Sequence, residues 1–184
     1  DITIFDNQQM AVKILMNSLY GAMANQWFRY FDLQIAEAVT TSGQRAIKNA
    51  EVSVNTEMQN ILGTKEDYVI AIDTDSVYIN MSSLVNLHTP ANPVNFLDKV
   101  CGHFEKIIAD GYEILANETN AYENRMIMKR EVIADRGIWM AKKRYILNVH
   151  NSEGVQYAEP KLKMMGIEAI KSSTPEIVRD RFKQ

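Results

Sequence analysis

Two β-rich runs joined by a polar tetrad constrain the fold of this chain more than any other feature. Residues 68–72 and 77–81 are dominated by β-branched and aromatic side chains, and the sequence Asp-Thr-Asp-Ser at 73–76 separates them. Such runs around a short polar turn predict a β-hairpin. Asp73 and Asp75 are one residue apart at this turn, so their carboxylates can be directed to one point.

The two hairpin aspartates form a candidate metal site. Mg²⁺ prefers oxygen ligands and completes its shell with water and substrate phosphate, and paired ions can stabilise both the attacking and the leaving oxygen of a phosphoryl transfer. Three other interpretations are open: a polar turn with local backbone bonds, the Asp-x-Asp of glycosyltransferases, and a phosphohydrolase of the haloacid dehalogenase type. The last requires a helix after the strand and a later paired acidic motif, whereas this chain has a second β-rich run and no Asp-Asp.

Helical and β-like patterns along the rest of the chain predict the α+β class. We expect an antiparallel sheet that carries the hairpin carboxylates, backed by helices, with one long helix near the start. Asp6 is predicted to cap the first helix, Gly63 to follow the second, and Arg136-Gly137 to form a turn. The predicted helices cover 7–25, 33–61 and 94–117, another begins at 172–176, a loop covers 86–95, and the later strands cover 125–134, 138–150 and 155–164.

Composition places the chain among globular proteins and excludes several classes. With 184 residues, 46% of them hydrophobic, it is long enough for a core. The single cysteine, Cys101, excludes a disulfide scaffold and lies in an apolar helical stretch that predicts burial. No run approaches the roughly 20 apolar residues that span a bilayer. The sequence starts at Asp1 with no visible signal peptide, which suggests an excised or incomplete reading frame.

The net charge of −3 conceals an asymmetry between two parts of the chain. Residues 1–124 contain 7 basic and 16 acidic side chains, a net charge of −9, whereas residues 125–184 contain 13 basic and 7 acidic ones, a net charge of +6. An acidic metal-binding part beside a basic polyanion-binding part would give this distribution. Two differently solvated surfaces would give it as well.

One face of the first predicted helix carries side chains suited to a nucleotide. At about 100° per residue, Lys13, Asn17 and Tyr20 fall within an arc of roughly 60°, away from the apolar stripe. Lysine can bind phosphate, and a flat ring can lie against a base pair. Gly21 follows, and a glycine within a helix costs about 1 kcal/mol, which the close approach of a ligand would explain. A solvated face with a packed tyrosine is the alternative.

A basic cluster, Lys142-Lys143-Arg144-Tyr145, leads into a predicted strand. Adjacent side chains of a strand point to opposite faces, so only part of the cluster can meet one ligand. Lysine and arginine contacts to phosphates position a nucleic acid without reading its sequence. The cluster therefore indicates a nucleic-acid contact, with a solvated strand face as the alternative.

Four segments in order resemble motifs of family B DNA polymerases. Residues 13–21, Lys-Ile-Leu-Met-Asn-Ser-Leu-Tyr-Gly, resemble motif B, whose pattern is Lys-x-x-x-Asn-Ser-x-Tyr-Gly. Residues 73–76 resemble motif C, and residues 142–145 resemble the Lys-Lys-x-Tyr element. Residues 163–168, together with Ser-Ser-Thr-Pro at 172–175, are similar to the passage from the palm domain to the thumb domain.

The resemblance runs from about Met10 to Pro175 and particularly suggests the T-even-type phage polymerases, notably over 137–145. It implies an antiparallel palm-type sheet and one long fingers helix. The implied domains are the C-terminal part of the fingers with the motif B helix (1–30), the palm (31–170) and the start of the thumb (171–184).

The resemblance also implies a role for each matched side chain. Asp75 would be a direct ligand of the catalytic Mg²⁺ ions, and Asp73 matches the other aspartate of motif C. Glu131 matches an acidic palm position and would be an auxiliary metal ligand, although Lys129 stands two residues earlier, where the phage relatives tend to carry aspartate. The incoming nucleotide would be bound by Lys13 (at its phosphates), Asn17, Tyr20 and Gly21, and the primer end by Lys142, Lys143, Arg144 and Tyr145, with Lys143 and Tyr145 as the main contacts.

The implied activity is DNA-directed DNA polymerisation. A primer 3′-hydroxyl would attack the α-phosphate of a deoxynucleoside triphosphate (dNTP) and release pyrophosphate. Motif A, Asp-x-x-Ser-Leu-Tyr-Pro-Ser, is not found in the sequence, and neither are the exonuclease segments, the first fingers helix or most of the thumb. The isolated chain is therefore expected to be inactive, because its two-metal Mg²⁺ site would lack a main ligand.

The expected partners follow from this activity. They are primer-template DNA, dNTP, the missing N-terminal polymerase segment and thumb, and a sliding clamp reached through absent segments, with no membrane partner. The expected location is the cytoplasm of an infected bacterial host. Apolar surface that the missing segments would cover is expected to be exposed and to favour self-association. The alternative function is a non-catalytic DNA-binding or assembly subunit of a split phage polymerase, which the basic last third would serve.

Overall fold

Long helices and antiparallel strands confirm the predicted α+β class. The computed structural model describes residues 2–182, in two units, one ending at Ala46 and one beginning at Ile47. Residues 1 and 183–184, which belong to the predicted fingers and thumb ranges, lie outside the described residues. The elements are α1 (Ile2–Met23), α2 (Leu33–Leu62), β1 (Val69–Asp73), β2 (Ser76–Ile79), α3 (Ser82–His88), α4 (Pro93–Glu118), β3 (Val132–Ala141), β4 (Arg144–Ser152), β5 (Val155–Met165) and α5 (Glu176–Phe182).

The first unit consists of α1, the turn after it and the start of α2. No described side chain of α1 is buried, although much of the helix is apolar, so the expected exposed apolar surface is present here. The predicted cap at Asp6 is wrong, because α1 already begins at Ile2 and Asp6 lies inside it. The second helix, α2, does have an aspartate cap. The Asp32 carboxylate accepts from the Ile35 N–H at 3.0 Å, which connects the start of α2 to the preceding turn.

Helices α2 and α4 supply much of the core of the second unit. As predicted, α2 ends beside Gly63, which has φ +64°. Asn92 caps α4 by accepting from the Asn95 N–H at 3.1 Å, with a proline in the first turn. Among residues 2–182, no helix has the length and apolar character needed to cross a membrane. The buried apolar side chains of the two helices in this unit are Ile47, Ala50, Val54 and Met58 of α2 and Phe104, Ile108, Tyr112, Leu115 and Ala116 of α4.

The described strands form two antiparallel sheets, β1-β2 and β3-β4-β5. The hairpin is confirmed, with Asp73 paired to Ser76 across its turn. The predicted turn at Arg136-Gly137 is wrong, since β3 continues to Ala141 and the turn lies at Lys142-Lys143. Gly137 serves packing within the strand: a Cβ there would lie 2.5 Å from the Trp139 ring. Helix α3 also occupies the first part of the region predicted as a loop.

The hairpin is packed on the three-stranded sheet through Tyr78. Tyr145, Leu147 and Val149 of β4 are buried, and their neighbours include Tyr78 of β2 and Trp139 of β3. Arg130 links this three-stranded sheet to α4. Its guanidinium donates to Asp98 of α4 at 2.6 Å and to Asn151 of β4 at 2.8 Å. Side-chain packing therefore fixes the hairpin turn relative to the β3-β4 turn.

Cys101 is partly buried on α4, so its predicted burial is only partly met. Burial raises the pKa of its thiol to about 11. A thiol with this pKa is protonated at neutral pH and behaves as a small apolar side chain, because the thiolate is the reactive form.

Candidate active site

The hairpin turn is a strained γ-turn that presents two carboxylates. The Asp75 N–H donates to the Asp73 carbonyl at 2.6 Å, an i to i+2 bond. Thr74 between them has φ +54°, in the left-handed region that residues other than glycine seldom adopt. Its hydroxyl donates to Asp73 Oδ1 at 3.1 Å. Backbone strain of this kind persists where the surroundings enforce it and is frequent at functional sites.

A half-open cleft of about 290 Å³ lies between the hairpin and the β3-β4 turn. It brings Asp73 together with the basic cluster, although the two are far apart in sequence. Asp75 follows on the exposed side of the γ-turn, whereas Asp73 is half-buried. The cleft is lined by Ala71, Ile72, Asp73, Tyr78, Trp139, Met140, Ala141, Lys142, Lys143 and Tyr145.

Lys143 and Asp73 form an ion pair across the cleft. The Lys143 Nζ lies 3.5 Å from Asp73 Oδ1, with 62% of the lysine side chain and 21% of the aspartate side chain exposed. A pair this open to water contributes at most about 1 kcal/mol. The Lys143 ammonium can therefore exchange its carboxylate partner for a phosphate at little cost.

Three aromatic side chains form the wall of the cleft. The Tyr78 ring centroid lies 5.3 Å from that of Tyr145 and 5.7 Å from that of Trp139. The pKa of Tyr78 is raised above its usual value, mainly by burial. A hydrogen bond with Tyr145 and the nearby charges of Glu131 and Asp73 add smaller effects in the same direction, so the Tyr78 hydroxyl stays protonated at neutral pH. Tyr145 is only 5% exposed. In this chain its side chain is thus mainly part of the wall.

Sequence reasoning did not single out Tyr78 or Trp139 as site residues. The signal for Tyr78 was present in the alternation of β2. Asp73 pairs with Ser76, and side chains two residues apart share a face, so Tyr78 lies on the same face as Asp73. No comparable local signal marks Trp139, because its position depends on the register of β3 against β4.

The basic cluster is divided between two environments. Lys142 is exposed at the cleft. The Arg144 Nε donates to the Gly166 carbonyl at 3.2 Å, and its guanidinium forms a short ion pair with Glu168. This division agrees with the expectation that adjacent cations cannot all meet one ligand. The DNA-binding roles of the four cluster residues remain predictions.

Glu131 lies near the same aromatic wall. Its carboxylate forms a short ion pair with Lys163, and its charge contributes to the raised pKa of Tyr78. The Glu131 carboxylate is thus already paired with a lysine of β5. Its role as an auxiliary metal ligand remains a prediction.

The two hairpin aspartates fit Mg²⁺ in their ligand chemistry. Within residues 2–182, no group of three or more His, Cys, Asp or Glu side chains is placed to hold a metal ion. Mg²⁺ is commonly bound through only one or two carboxylates, with water and substrate phosphates completing its shell. Asp73 and Asp75 therefore fit a share of the ligands of such a site, and their role as metal ligands remains a prediction.

The predicted nucleotide-binding residues lie on α1, in the first unit. Lys13, Asn17, Tyr20 and Gly21 are all exposed. A Cβ at Gly21 would meet nothing within 4 Å, so packing against the described residues does not explain the glycine. This exposure agrees with a ligand-binding face and equally with a solvated face, so the nucleotide-binding roles of these residues remain predictions.

The chain belongs to DNA polymerase family B, whose family model matches residues 1–184. The DNA-directed DNA polymerase of Escherichia phage RB69 is 41% identical over 96% of this chain and 21% of that protein. The DNA-directed DNA polymerase of Enterobacteria phage T4 is 36% identical over 99% of this chain and 22% of that protein. The DNA polymerase catalytic subunit of Equine herpesvirus 2 is 30% identical over 64% of this chain and 12% of that protein.

These findings confirm the resemblance to family B polymerases of the T-even phage type. The chain spans about a fifth of the length of the two phage relatives.

Proposed function

We propose that the chain supplies part of the catalytic site of a DNA-directed DNA polymerase, which transfers deoxynucleotides to a primer 3′ end under the direction of a template. Membership of DNA polymerase family B and similarity to two phage polymerases support this proposal. The observation that carries it is the cleft in which Asp73, on a strained hairpin, lies beside Lys143 of the basic cluster.

Each side of the cleft has a distinct task in this reaction. Lys143, whose pair with Asp73 is weak, binds a phosphate near the primer end, with Lys142 beside it. Asp73 and Asp75 would hold Mg²⁺, and the ion when bound would offset the negative charge of the reacting phosphates. Tyr78 and Tyr145 keep the two turns together. On α1, Lys13, Asn17, Tyr20 and Gly21 bind the incoming dNTP.

The remaining expectations form part of the same proposal. Residues 31–170 are the palm, residues 1–30 the end of the fingers, and residues 171–184 the start of the thumb. The partners are primer-template DNA, dNTP, the rest of the polymerase and, through it, a sliding clamp. The reaction takes place in an infected bacterial cell, and the isolated chain self-associates through its exposed apolar surface.

The test is primer extension by a chimera in which this chain replaces the matched segment of the phage RB69 polymerase. We expect the chimera to extend a labelled primer in the presence of dNTPs and Mg²⁺, and the 184-residue chain alone to leave it unextended. Extension by the chain alone would contradict the need for further segments. A folded chimera that binds primer-template DNA without extending it would contradict the catalytic role.

A non-catalytic DNA-binding function is the second candidate. It is favoured by the basic last third and by a further exposed lysine on β5, Lys161, beside the cleft-forming strands. Under this function, charge reversal at Lys142 and Lys143 weakens salt-sensitive DNA binding. The hairpin aspartates would then be dispensable, which separates this candidate from the polymerase.

A further inference from the structure

We propose that Gly166, Glu168 and Arg144 form a brace that fixes the Lys142-Lys143 turn and so holds Lys143 beside Asp73. In this assignment Arg144 is a positioning residue that acts through the turn, and it does not contact DNA directly. The inference rests on the proposed function, because its consequence is the placement of a DNA-binding lysine.

The first component of the brace is a backbone contact between Gly166 and the turn. Gly166 follows β5 and has φ +62°. A Cβ at this position would lie 2.1 Å from the Lys143 carbonyl oxygen and 3.2 Å from its carbonyl carbon. Both are backbone atoms, which cannot rotate away as a flexible side chain could. Glycine is therefore required here both for its conformation and for the close approach.

The second component is the side chain of Arg144. Its Nε donates to the Gly166 carbonyl at 3.2 Å, and its guanidinium forms a short ion pair with Glu168. Lys171 Nζ lies 3.2 Å from the same Glu168 oxygen. The pKa of Glu168 is lowered, most by a backbone hydrogen bond and next by the hydrogen bond from Lys171. Glu168 is thus charged at neutral pH, and the planar fork of the arginine joins it to the start of β4.

The turn needs such support because its conformation is costly. Lys143 has φ +60°, which a residue other than glycine adopts only where its surroundings enforce it. Tyr145 pairs with Met165 across the sheet, so Gly166 comes directly beside the turn. Gly166 contacts the Lys143 carbonyl, and the side chain of the next residue, Arg144, bonds to Gly166. Both contacts therefore act directly beside Lys143, whose Nζ lies 3.5 Å from Asp73 Oδ1.

The experiment compares Gly166→Ala and Glu168→Gln with a matched control, Gly63→Ala. Gly63 has φ +64°, close to that of Gly166, but a Cβ there meets nothing within 4 Å. The control therefore carries the same conformational cost without the clash. Two quantities are measured in the 184-residue chain: amide hydrogen exchange of the β3-β4 turn, and binding of a fluorescently labelled primer annealed to a longer template.

We expect both brace variants to exchange the turn amides at least about fivefold faster and to bind the primer-template about fivefold more weakly, a factor that corresponds to the loss of about 1 kcal/mol. Gly63→Ala should change neither quantity. The result for Glu168→Gln is particularly informative, because removing a negative charge would by itself strengthen DNA binding.

Unchanged turn exchange in Gly166→Ala and Glu168→Gln would overturn the brace, and so would tighter DNA binding by Glu168→Gln. Failure of the proposed function has a different signature. In that case Lys143→Ala leaves DNA binding unchanged, while the turn exchange of the brace variants still reports whether the brace exists.

Discussion

Replacing Asp75 with asparagine in the phage RB69 chimera should lower the rate of nucleotide incorporation by about a thousandfold, equivalent to about 4 kcal/mol of transition-state stabilisation. Asparagine preserves the size of the side chain but removes the charge that would hold Mg²⁺. Asp75 lies on the exposed side of the γ-turn, so the substitution leaves no buried group unpaired. The measurement is single-turnover extension of a labelled primer at saturating dNTP, with primer-template binding determined separately.

Asp110→Asn is the matched control for this prediction. Asp110 is an exposed aspartate of α4 and is not among the residues that line the cleft. The control should extend the primer at the rate of the parent chimera. If Asp75→Asn and Asp110→Asn were equally fast, the catalytic role of the hairpin would be untenable.

Replacing Tyr78 with alanine should lower the free energy of unfolding of the second unit by about 2–3 kcal/mol, below the range for a fully buried aromatic residue because Tyr78 is only half-buried. The ring packs against Trp139 and Tyr145, and through them it joins the hairpin to the three-stranded sheet. Urea unfolding followed by tryptophan fluorescence measures the change. The chain has two tryptophans, so a Trp27→Phe background makes Trp139 the only reporter.

Tyr78→Phe separates the ring from the hydroxyl. It keeps the aromatic packing and loses only the hydroxyl group, so we expect a loss of at most about 1 kcal/mol. Equal losses for Tyr78→Ala and Tyr78→Phe would show that the ring does not connect the two sheets.

The features that could be predicted from the sequence are those encoded locally. The hairpin follows from β-rich runs on both sides of a polar tetrad, and the end of α2 from Gly63. Order and spacing of short motifs sufficed for the family, which the comparisons confirm.

The errors and omissions arise where distant residues decide the outcome. Arg136-Gly137 resembles a turn, but Gly137 lies within β3, and a glycine is needed there because the Trp139 ring occupies the space of a side chain. The strands predicted over 125–134 and 138–150 have the wrong bounds for this reason, since β3 covers Val132–Ala141 and β4 covers Arg144–Ser152. The pairing of Lys143 with Asp73 and the contact of Gly166 with the Lys143 carbonyl depend on how three segments pack. Asp6 is a suitable cap residue by type, yet α1 begins earlier.

The central claim, that the hairpin carboxylates bind the divalent ion of a polymerase site, is tested most directly by adding Mn²⁺ to the nitrogen-15-labelled 184-residue chain. Mn²⁺ takes the same oxygen ligands as Mg²⁺ and broadens the amide signals of nearby residues even when it binds weakly. Signals of residues 73–76 and of the Lys142-Lys143 turn should broaden first. They should recover on addition of excess Mg²⁺ and stay sharp in an Asp73→Asn, Asp75→Asn double variant. Broadening that is confined to other acidic residues, or that persists in the double variant, would contradict the claim.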